Sequence, residues 1–310
     1  MNIIDVCRVT KKYGDYTALD EVNVSVRAGS IFGLLGPNGA GKTSLIRIIN
    51  QITAPDSGEV FFEGEKLSSK HVAQIGYLPE ERGLYRKMKV GEQAIYLARL
   101  KGLPKDVVIK RLKYWFEKFE IASWWNKKVE ELSKGMQQKV QFIVTVIHEP
   151  KLFIFDEPFS GFDPINVNLL KHEMLELRNK GASIVFSTHN MASVEELCND
   201  IALINKSKKI LEGNITDIKN KNKENLFSVQ FTNTDIDLRT CLPHTIEIKS
   251  IAISQNETTT AQLKIPKEQT SNDLIRLLLS HVNLVSFSEI LPTMNDIFIS
   301  YVHQEQAKTL

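Results

Sequence analysis

Gly36-Pro37-Asn38-Gly39-Ala40-Gly41-Lys42-Thr43 fits the phosphate-binding pattern G-x-x-x-x-G-K-[ST] at every specified position. The apolar run 31–35 predicts a buried strand before it, and residues 43–49 have helical spacing after it, which is the context that the pattern needs. Glycines let such a loop close around phosphate oxygens, so that backbone N–H groups and the positive end of the next helix face the anion. The stretch therefore predicts a nucleoside triphosphate site.

Two acids downstream predict the rest of the chemistry. In Lys151-Leu152-Phe153-Ile154-Phe155-Asp156-Glu157, four apolar residues precede the carboxylates, as in a central parallel strand that ends at the ligand edge of a sheet. We expect Lys42 to bind the β- and γ-phosphates, and Thr43 and Asp156 to hold Mg²⁺. Glu157 is then predicted to accept the proton of the water that attacks the γ-phosphate.

Composition limits the class of protein. The chain has 310 residues, of which 42% are hydrophobic and 25% charged, and its net charge of +2 gives no nucleic-acid or membrane footprint by itself. Its three cysteines are scattered, which indicates neither a disulfide framework nor a zinc site and favours a reduced, cytosolic protein. No apolar run approaches the roughly 18 residues of a membrane span. We expect any membrane process to be served from the inner face of the cell membrane, through another chain.

Hydrophobic patterns predict two domains. Up to residue 215, short apolar runs alternate with helical patterns, which is typical of an α/β sheet covered by helices. Strands are absent from the pattern at about 85–148, which predicts a helical subdomain there. Residues 216–225 are rich in Lys and Asn and are predicted to be a linker. Alternating patterns then predict a small C-terminal α+β domain at 226–310.

The stretch Leu132-Ser133-Lys134-Gly135-Met136-Gln137-Gln138 opens a long predicted helix, with Ser133 placed as its N-cap. A helix start prepared in this way favours an anion. Here the chain resembles the ATP-binding cassette (ABC) family, whose signature loop begins L-S-G-G-Q and lies between the phosphate loop and the two acids. The resemblance covers about residues 3–213 and implies a P-loop cassette fold with ATP and Mg²⁺ as ligands.

The resemblance assigns roles to individual positions. Tyr13 is similar to the aromatic residue that stacks on adenine, His189 to the histidine that touches the γ-phosphate, and Asp163 to a residue that contacts the opposite subunit. A packed tyrosine, a structural histidine and a solvated turn acid remain the alternatives. The predicted ATP-binding residues are Tyr13, Gly36, Pro37, Asn38, Gly39, Ala40, Gly41, Lys42, Thr43 and Ser44, and those contacting the partner's ATP are Ser133, Lys134, Gly135 and Met136.

Two departures from the family pattern stand out. Glu80 occupies the position of a glutamine that senses Mg²⁺ and the attacking water; a carboxylate there can accept a hydrogen bond or approach the metal but cannot donate. The signature has Lys134 and Met136 in place of Gly and Gln. Both changes resemble a bacterial subgroup of sodium- and drug-efflux ATPases that carry a small C-terminal domain. We therefore retain Glu80 as a predicted catalytic and metal-binding residue.

The resemblance implies an ATPase subunit that works as a homodimer or with a paired cassette and drives a separate transmembrane permease. Two readings from other classes stay open. One is a soluble cassette ATPase acting on nucleic acid or ribosomes, although such proteins usually carry two cassettes or zinc cysteines. The other is a non-hydrolysing, nucleotide-gated adaptor, favoured only by Glu80 and Met136. A direct nucleic-acid partner is not expected, because the lysine-rich run 206–223 has no interleaved aromatic residues.

Overall fold

The computed structural model describes residues 1–81, 83–232, 237–253 and 258–307. The chain divides into two compact units, Met1–Ile215 with the C-terminal residues from Gln304 onward, and Thr216–His303. The strands are β1 (Asn2–Tyr13), β2 (Tyr16–Arg27), β3 (Ile31–Leu35), β4 (Ser57–Phe62), β5 (Glu65–Lys66), β6 (Ile75–Leu78), β7 (Leu152–Asp156), β8 (Ser183–Thr188), β9 (Asp200–Asn205), β10 (Lys208–Asn214), β11 (Leu226–Thr232), β12 (Glu247–Ile253), β13 (Thr259–Lys264) and β14 (Asn283–Ile290). The α-helices are α1 (Lys42–Ile49), α2 (Val90–Leu100), α3 (Lys105–Lys118), α4 (Lys134–Val146), α5 (Pro164–Asn179), α6 (Met191–Leu197), α7 (Ile215–Lys221), α8 (Leu238–Cys241), α9 (Ser271–Leu279) and α10 (Met294–Ala307).

A six-stranded sheet forms the centre of the first unit. Its strand order is β10-β9-β3-β8-β7-β6, with β10 antiparallel to β9 and the other neighbours parallel. Every residue of β3, β7 and β8 is buried, as expected of parallel strands covered on both faces. The carboxyl ends of these three strands therefore open on one edge of the sheet, where the phosphate loop begins.

A second sheet, of order β2-β1-β4-β5, is antiparallel. The apolar pattern at residues 22–26 predicts part of β2, but no such pattern marks β1, β4 or β5. The pairing of β1 with β2 shifts register at several points, and Arg8 and Glu21 adopt φ near +47°. Such bulges add unpaired residues, so the alternation of buried and exposed residues that marks a strand is broken.

Helices α2, α3 and α4 form the helical region predicted at about 85–148. Trp125 packs against this region: its ring lies 5.4 Å from that of Phe116 on α3, and a Cβ at Gly91 on α2 would come within 2.4 Å of the same indole. Glycine at position 91 thus lets α2 approach the indole closely. Within the described residues, no helix is both long enough and apolar enough to cross a bilayer.

The second unit has a four-stranded antiparallel sheet of order β12-β13-β11-β14. In chain order its elements run β11, α8, β12, β13, α9 and β14, which is the β-α-β-β-α-β arrangement of ferredoxin-like domains. Its core includes Val229, Leu263 and Leu278, and the rings of Phe227 and Phe287 stack at 5.0 Å. The residues predicted to form a linker, 216–225, are helical over part of their length, in α7.

Candidate functional site

The phosphate loop lies between β3 and α1, and two of its glycines are required by close backbone contacts. Gly36 has φ +147°, and a Cβ there would lie 2.1 Å from the carbonyl oxygen of Ile204. Gly41 has φ +114°, and its Cβ would lie 2.2 Å from the carbonyl oxygen of Ala18. Any side chain at either position would displace the loop from β9 or β2, which explains why the sequence has glycine there.

Lys42 is the buried cation of the site, with 6% of its surface exposed. Its ammonium group donates to the carbonyl oxygens of Gly36 at 2.7 Å and Pro37 at 3.1 Å, which fixes the position of the charge inside the loop. Burial lowers the pKa of Lys42, while the nearby carboxylates of Glu157, Asp156 and Glu80 oppose that shift.

The two acids lie at the carboxyl end of β7. Asp156 is buried, and its carboxylate accepts a hydrogen bond from the hydroxyl of Ser187 on β8. Glu157 adopts φ +47°, which is rare for a residue with a side chain. Its N–H donates to both the carbonyl oxygen and the hydroxyl of Ser187, at 3.2 Å each. Ser187 therefore positions both acids, a role that the sequence patterns did not reveal.

His189 is hydrogen-bonded to Glu157. Its Nδ1 lies 2.9 Å from Oε1 of Glu157, while 70% of the imidazole surface remains exposed. The histidine follows β8 and the glutamate follows β7, and these two strands are parallel neighbours. The contact brings a titratable ring next to the predicted general base at the open edge of the sheet.

Lys42, Asp156 and Glu157 line a pocket of about 310 Å³, whereas His189 and the predicted ATP-binding residues Gly36 and Pro37 do not line it. Its lining residues are Tyr16, Ala18, Asn38, Gly39, Ala40, Gly41, Lys42, Thr43, Ser44, Glu80, Asp156 and Glu157. The structure thus brings most of the predicted phosphate loop, both acids and Glu80 to one cavity. A larger pocket, of about 1050 Å³, lies at the opposite edge of the sheet beside Lys151 and Ala182, which precede β7 and β8, and contains none of the predicted site residues.

Oxygen donors in the smaller pocket fit Mg²⁺. Thr43 offers a hydroxyl, and Asp156 and Glu80 offer carboxylates, which are the hard ligands that Mg²⁺ prefers. Within the part of the chain that the structure describes, no three or more His, Cys, Asp or Glu side chains form a metal cage on their own.

Tyr16, which the sequence analysis did not select, is the tyrosine that lines the pocket. Its hydroxyl donates to the carbonyl oxygen of Gly39 at 2.7 Å. Tyr13 is the register partner of Tyr16 at the end of the β1–β2 hairpin, is half exposed and does not line the pocket. The role of Tyr13 in stacking on adenine stays a prediction. The hairpin turn at Gly14 was the sequence signal that could have placed both tyrosines near the loop.

The four signature residues lie apart from this pocket, at the start of α4. The hydroxyl of Ser133 accepts a hydrogen bond from the N–H of Met136 at 3.3 Å, which makes Ser133 the N-cap, as predicted from its type. Ser133 and Lys134 are exposed. A Cβ at Gly135 would meet its nearest neighbour, the carbonyl oxygen of Gly161, only at 3.8 Å, so packing within the chain does not require glycine there.

Asp163 caps helix α5. Its carboxylate accepts hydrogen bonds from the N–H groups of Ile165 and Asn166 at 3.0 Å each. The bond from the Asn166 backbone, assisted by its side chain, lowers the pKa of Asp163. The side chain has a local role in the single chain, and its predicted contact with an opposite subunit is a proposal taken up below.

Comparison with known proteins identifies the family. The chain is 42% identical over 301 residues to an uncharacterised ABC transporter ATP-binding protein of Bacillus subtilis, covering 97% of this chain and 98% of that protein. The chain belongs to the ABC transporter ATP-binding proteins. The family model described as ABC transporter matches residues 19–160, which contain the phosphate loop, the signature helix and both acids. The resemblance stated from the sequence motifs is thereby confirmed.

Further similarities extend to the second unit and to solved structures. Residues 213–302 match the C-terminal domain of DrrA1-3-like ATP-binding proteins. A shorter match, at 128–195, is to an AAA domain described as a possible AbiEii toxin. A solved ATP-binding subunit of an ABC transporter superimposes with a TM-score of 0.66 at 30% identity, covering 71% of this chain and 92% of that chain. The ABC cassette fold with an added C-terminal domain, as predicted, is thereby confirmed.

Two relatives carry names that describe transport. The Nod factor export ATP-binding protein I of Cupriavidus metallidurans is 33% identical over 214 residues, covering 68% of this chain and 71% of that protein. The lantibiotic transport ATP-binding protein SrtF of Streptococcus pyogenes is 30% identical over 228 residues, covering 74% of this chain and 97% of that protein. Both similarities support the assignment of this ABC protein as the ATP-binding subunit of a transporter.

Proposed function

We propose that this ABC protein hydrolyses ATP with Mg²⁺ as one of two paired cassettes, most simply a homodimer, and thereby drives export through a separate membrane permease. The observation that carries the proposal is the separation of the signature residues from the pocket. Ser133 to Met136 form an exposed helix start that an anion would favour, yet none of them lines the pocket of the same chain. A second copy would bring its own triphosphate to that helix start.

The pocket supports hydrolysis by a general base. Glu157 would accept a proton from the attacking water, and Lys42 with the N–H groups of the loop would stabilise the negative charge of the phosphates. His189 would contact Glu157 through Nδ1 and the γ-phosphate through its other ring nitrogen. Mg²⁺, held by Thr43, Asp156 and Glu80, would neutralise part of the triphosphate charge. Asp163 would contact the opposite subunit.

An exposed apolar surface on α2 supports a permease as the partner of this protein. Tyr96 and Leu100 are four residues apart on α2 and are 44% and 65% exposed. Tyr85 is 53% exposed, and its ring meets that of Tyr96 edge-on at 6.1 Å. Exposed aromatic and aliphatic side chains grouped in this way are typical of protein contacts. A permease bound there from the cytosolic side would sit next to the segment that carries Glu80.

Export is supported by the relative described as a Nod factor export protein, and transport in general by the relative described as a lantibiotic transport protein. Sodium and drug-like molecules are the substrate classes suggested by the sequence subgroup.

Purification of the tagged chain from native membranes tests the proposal. We expect a membrane protein to co-purify and the complex to hydrolyse ATP. Replacing Tyr96 and Leu100 together with Ser should release the membrane protein, whereas Tyr114→Ser, at an exposed tyrosine on α3, should not. Co-purification of ribosomes or nucleic acid instead would favour the soluble class, and ATP binding without turnover in the complete complex would favour a nucleotide-gated adaptor.

A further inference from the structure

Two buried glutamines hold the two ends of the segment 79–85, which carries Glu80. Gln93, on α2, is fully buried, and its Oε1 accepts a hydrogen bond from the N–H of Tyr85 at 2.7 Å. Gln141, on α4, is 3% exposed, and its Nε2 donates to the carbonyl oxygens of Pro79 at 3.3 Å and Glu81 at 3.4 Å. Both contacts are made to backbone groups, so they constrain the path of the segment.

The partners fix the orientation of each amide. A backbone N–H can only donate, so the atom of Gln93 that faces Tyr85 is the carbonyl oxygen. A backbone carbonyl can only accept, so the atom of Gln141 that faces Pro79 and Glu81 is the nitrogen. Gln93 therefore accepts a hydrogen bond from the segment, whereas Gln141 donates to it. Gln141 holds the backbone on both sides of Glu80.

We propose that Gln141 and Gln93 are positioning residues that tie Glu80 to the signature helix at one end of the segment and to the exposed face of α2 at the other. Gln141 lies five residues beyond Met136, the last of the signature residues, on the same helix. Gln93 lies on the helix that carries Tyr96 and Leu100. A displacement of either helix would move the backbone next to Glu80. The inference rests on the proposed function of this pocket.

Helix α4 is closely packed where Gln141 makes its contact. One turn further on, the hydroxyl of Thr145 donates to the backbone carbonyl oxygen of Gln141 within α4 at 2.8 Å and lies 3.4 Å from the carbonyl oxygen of Tyr77 on β6. A Cβ at Gly76 would lie 2.8 Å from the carbonyl oxygen of Thr145, so glycine is needed for this approach of α4 to β6. Thr145 contacts the strand and Gln141 contacts the segment beyond it. Thr145 is therefore a matched control on the same helix.

Each glutamine uses only half of its amide for these contacts. Nε2 of Gln93 and Oε1 of Gln141 are buried and have no hydrogen-bond partner among the described residues. Nε2 of Gln93 can donate and Oε1 of Gln141 can accept a hydrogen bond. Both atoms therefore remain available to the segment if its backbone moves to a second position. This suits a segment that shifts when nucleotide or permease binds.

The test compares Gln141→Met with Thr145→Val in the complete transporter. Met fills the space of Gln141 and removes its donor, so we expect kcat to fall by roughly tenfold or more while KM for ATP changes little, because misplacing a catalytic group weakens turnover more than binding. Thr145→Val should leave kcat unchanged. Gln93→Met should also lower kcat, and Gln93→Glu, which keeps the acceptor for Tyr85, should recover part of the loss.

A double variant separates positioning from general damage. If Gln141 acts through Glu80, Gln141→Met should cause no further loss of kcat in a chain that already carries Glu80→Ala. If the defect is merely structural, the fold-losses of kcat from the two substitutions should multiply. Multiplied losses, or a Gln141→Met enzyme with wild-type kcat, would overturn the proposal.

Amide hydrogen exchange of the same chains tests whether the glutamines anchor the segment, and it does not depend on ATP hydrolysis. Exchange at residues 80, 81 and 83–85 should quicken in Gln141→Met, with little change in β6. Unchanged exchange in the segment would overturn the anchoring, whereas a wild-type complex that fails to hydrolyse ATP would count against the proposed function instead.

Discussion

Glu157 occupies a backbone conformation that most residues avoid, and its surroundings show how the conformation is held. With φ at +47°, it turns the chain immediately after β7, and its N–H is held by two oxygens of Ser187. Strained residues of this kind persist where the surrounding structure fixes them, and they cluster at functional sites. The strain aims the carboxylate at the pocket and at His189.

Glu157→Gln should preserve ATP binding while it removes the proposed general base. The amide keeps the shape of the side chain and a hydrogen-bonding group for His189, but it cannot take the proton of water. We expect hydrolysis to fall by about 10² to 10⁴, and ATP-loaded dimers to accumulate. Single-turnover rates and gel filtration with ATP check both effects, and a variant that hydrolyses at the wild-type rate would remove Glu157 from the role of base.

Glu80 should respond differently to two substitutions. Gln keeps an acceptor and removes a negative charge from beside the triphosphate, so Glu80→Gln should be tolerated. Glu80→Ala removes the group and should impair turnover. ATPase rates are best measured with the permease present, because the segment after Glu80 leads to the exposed face of α2. Equal, wild-type rates for both variants would mean that Glu80 takes no part in the site.

At the residue scale, the sequence predicted the groups that belong to a local motif. Lys42 follows from the glycine loop, and Asp156 and Glu157 follow from the end of an apolar run. Tyr16 and Ser187 could not be identified in the same way, because their roles depend on a hairpin and on the pairing of two strands distant in the chain. The proposed anchors Gln93 and Gln141 likewise depend on how two helices pack.

At the scale of elements, apolar runs predicted the parallel strands β3, β6, β7 and β8 to within a few residues but missed β9, and helical spacing predicted α1 to α6 equally closely. The antiparallel sheet of β1, β2, β4 and β5 was largely missed, since bulges near Arg8 and Glu21 interrupt its alternation. Strand β14 was missed as well; none of its eight residues is buried, and the five exposed ones, including Val285, do not alternate strictly with the others. Regular burial is what makes an element visible in a sequence.

The turn after α4 predicts a pH effect on stability. Burial, reinforced by the positive charges of Lys101 and Arg111, lowers the pKa of His148 from 6.5 to about 4. Between these values the unfolded chain binds a proton that the folded chain does not, so stability is lost as pH falls below about 6.5. Urea unfolding at pH 7 and pH 5 should show an extra loss of about 2 kcal/mol in the wild type compared with His148→Leu. An equal loss in both proteins would contradict the shifted pKa.

At the scale of the whole molecule, the sequence predicted an α/β cassette followed by a small α+β domain, but not the strand order of the second unit. In that sheet β11 lies between β13 and β14, and each of its neighbours comes from later in the chain. Alternation shows which residues form strands and carries no information on which strands pair. The ferredoxin-like strand order follows only from the observed pairing of the strands.

The proposed pairing of two chains predicts that defects in different chains can complement each other. Lys42→Ala should disable the phosphate loop, and Gly135→Asp should set a negative charge against the partner's triphosphate without disturbing the fold, because a Cβ fits there. In a mixed dimer, one composite site then carries both defects and the other carries none. Each variant alone should be inactive.

Mixed dimers, purified through a different tag on each chain, should hydrolyse ATP at about half the wild-type rate, since one of two sites is intact. If each site instead belonged to a single chain, every site in the mixed dimer would carry a defect and no activity would return. The mixed dimer thus distinguishes a site shared between two chains from a site completed within one, and an inactive mixed dimer would count against the shared site.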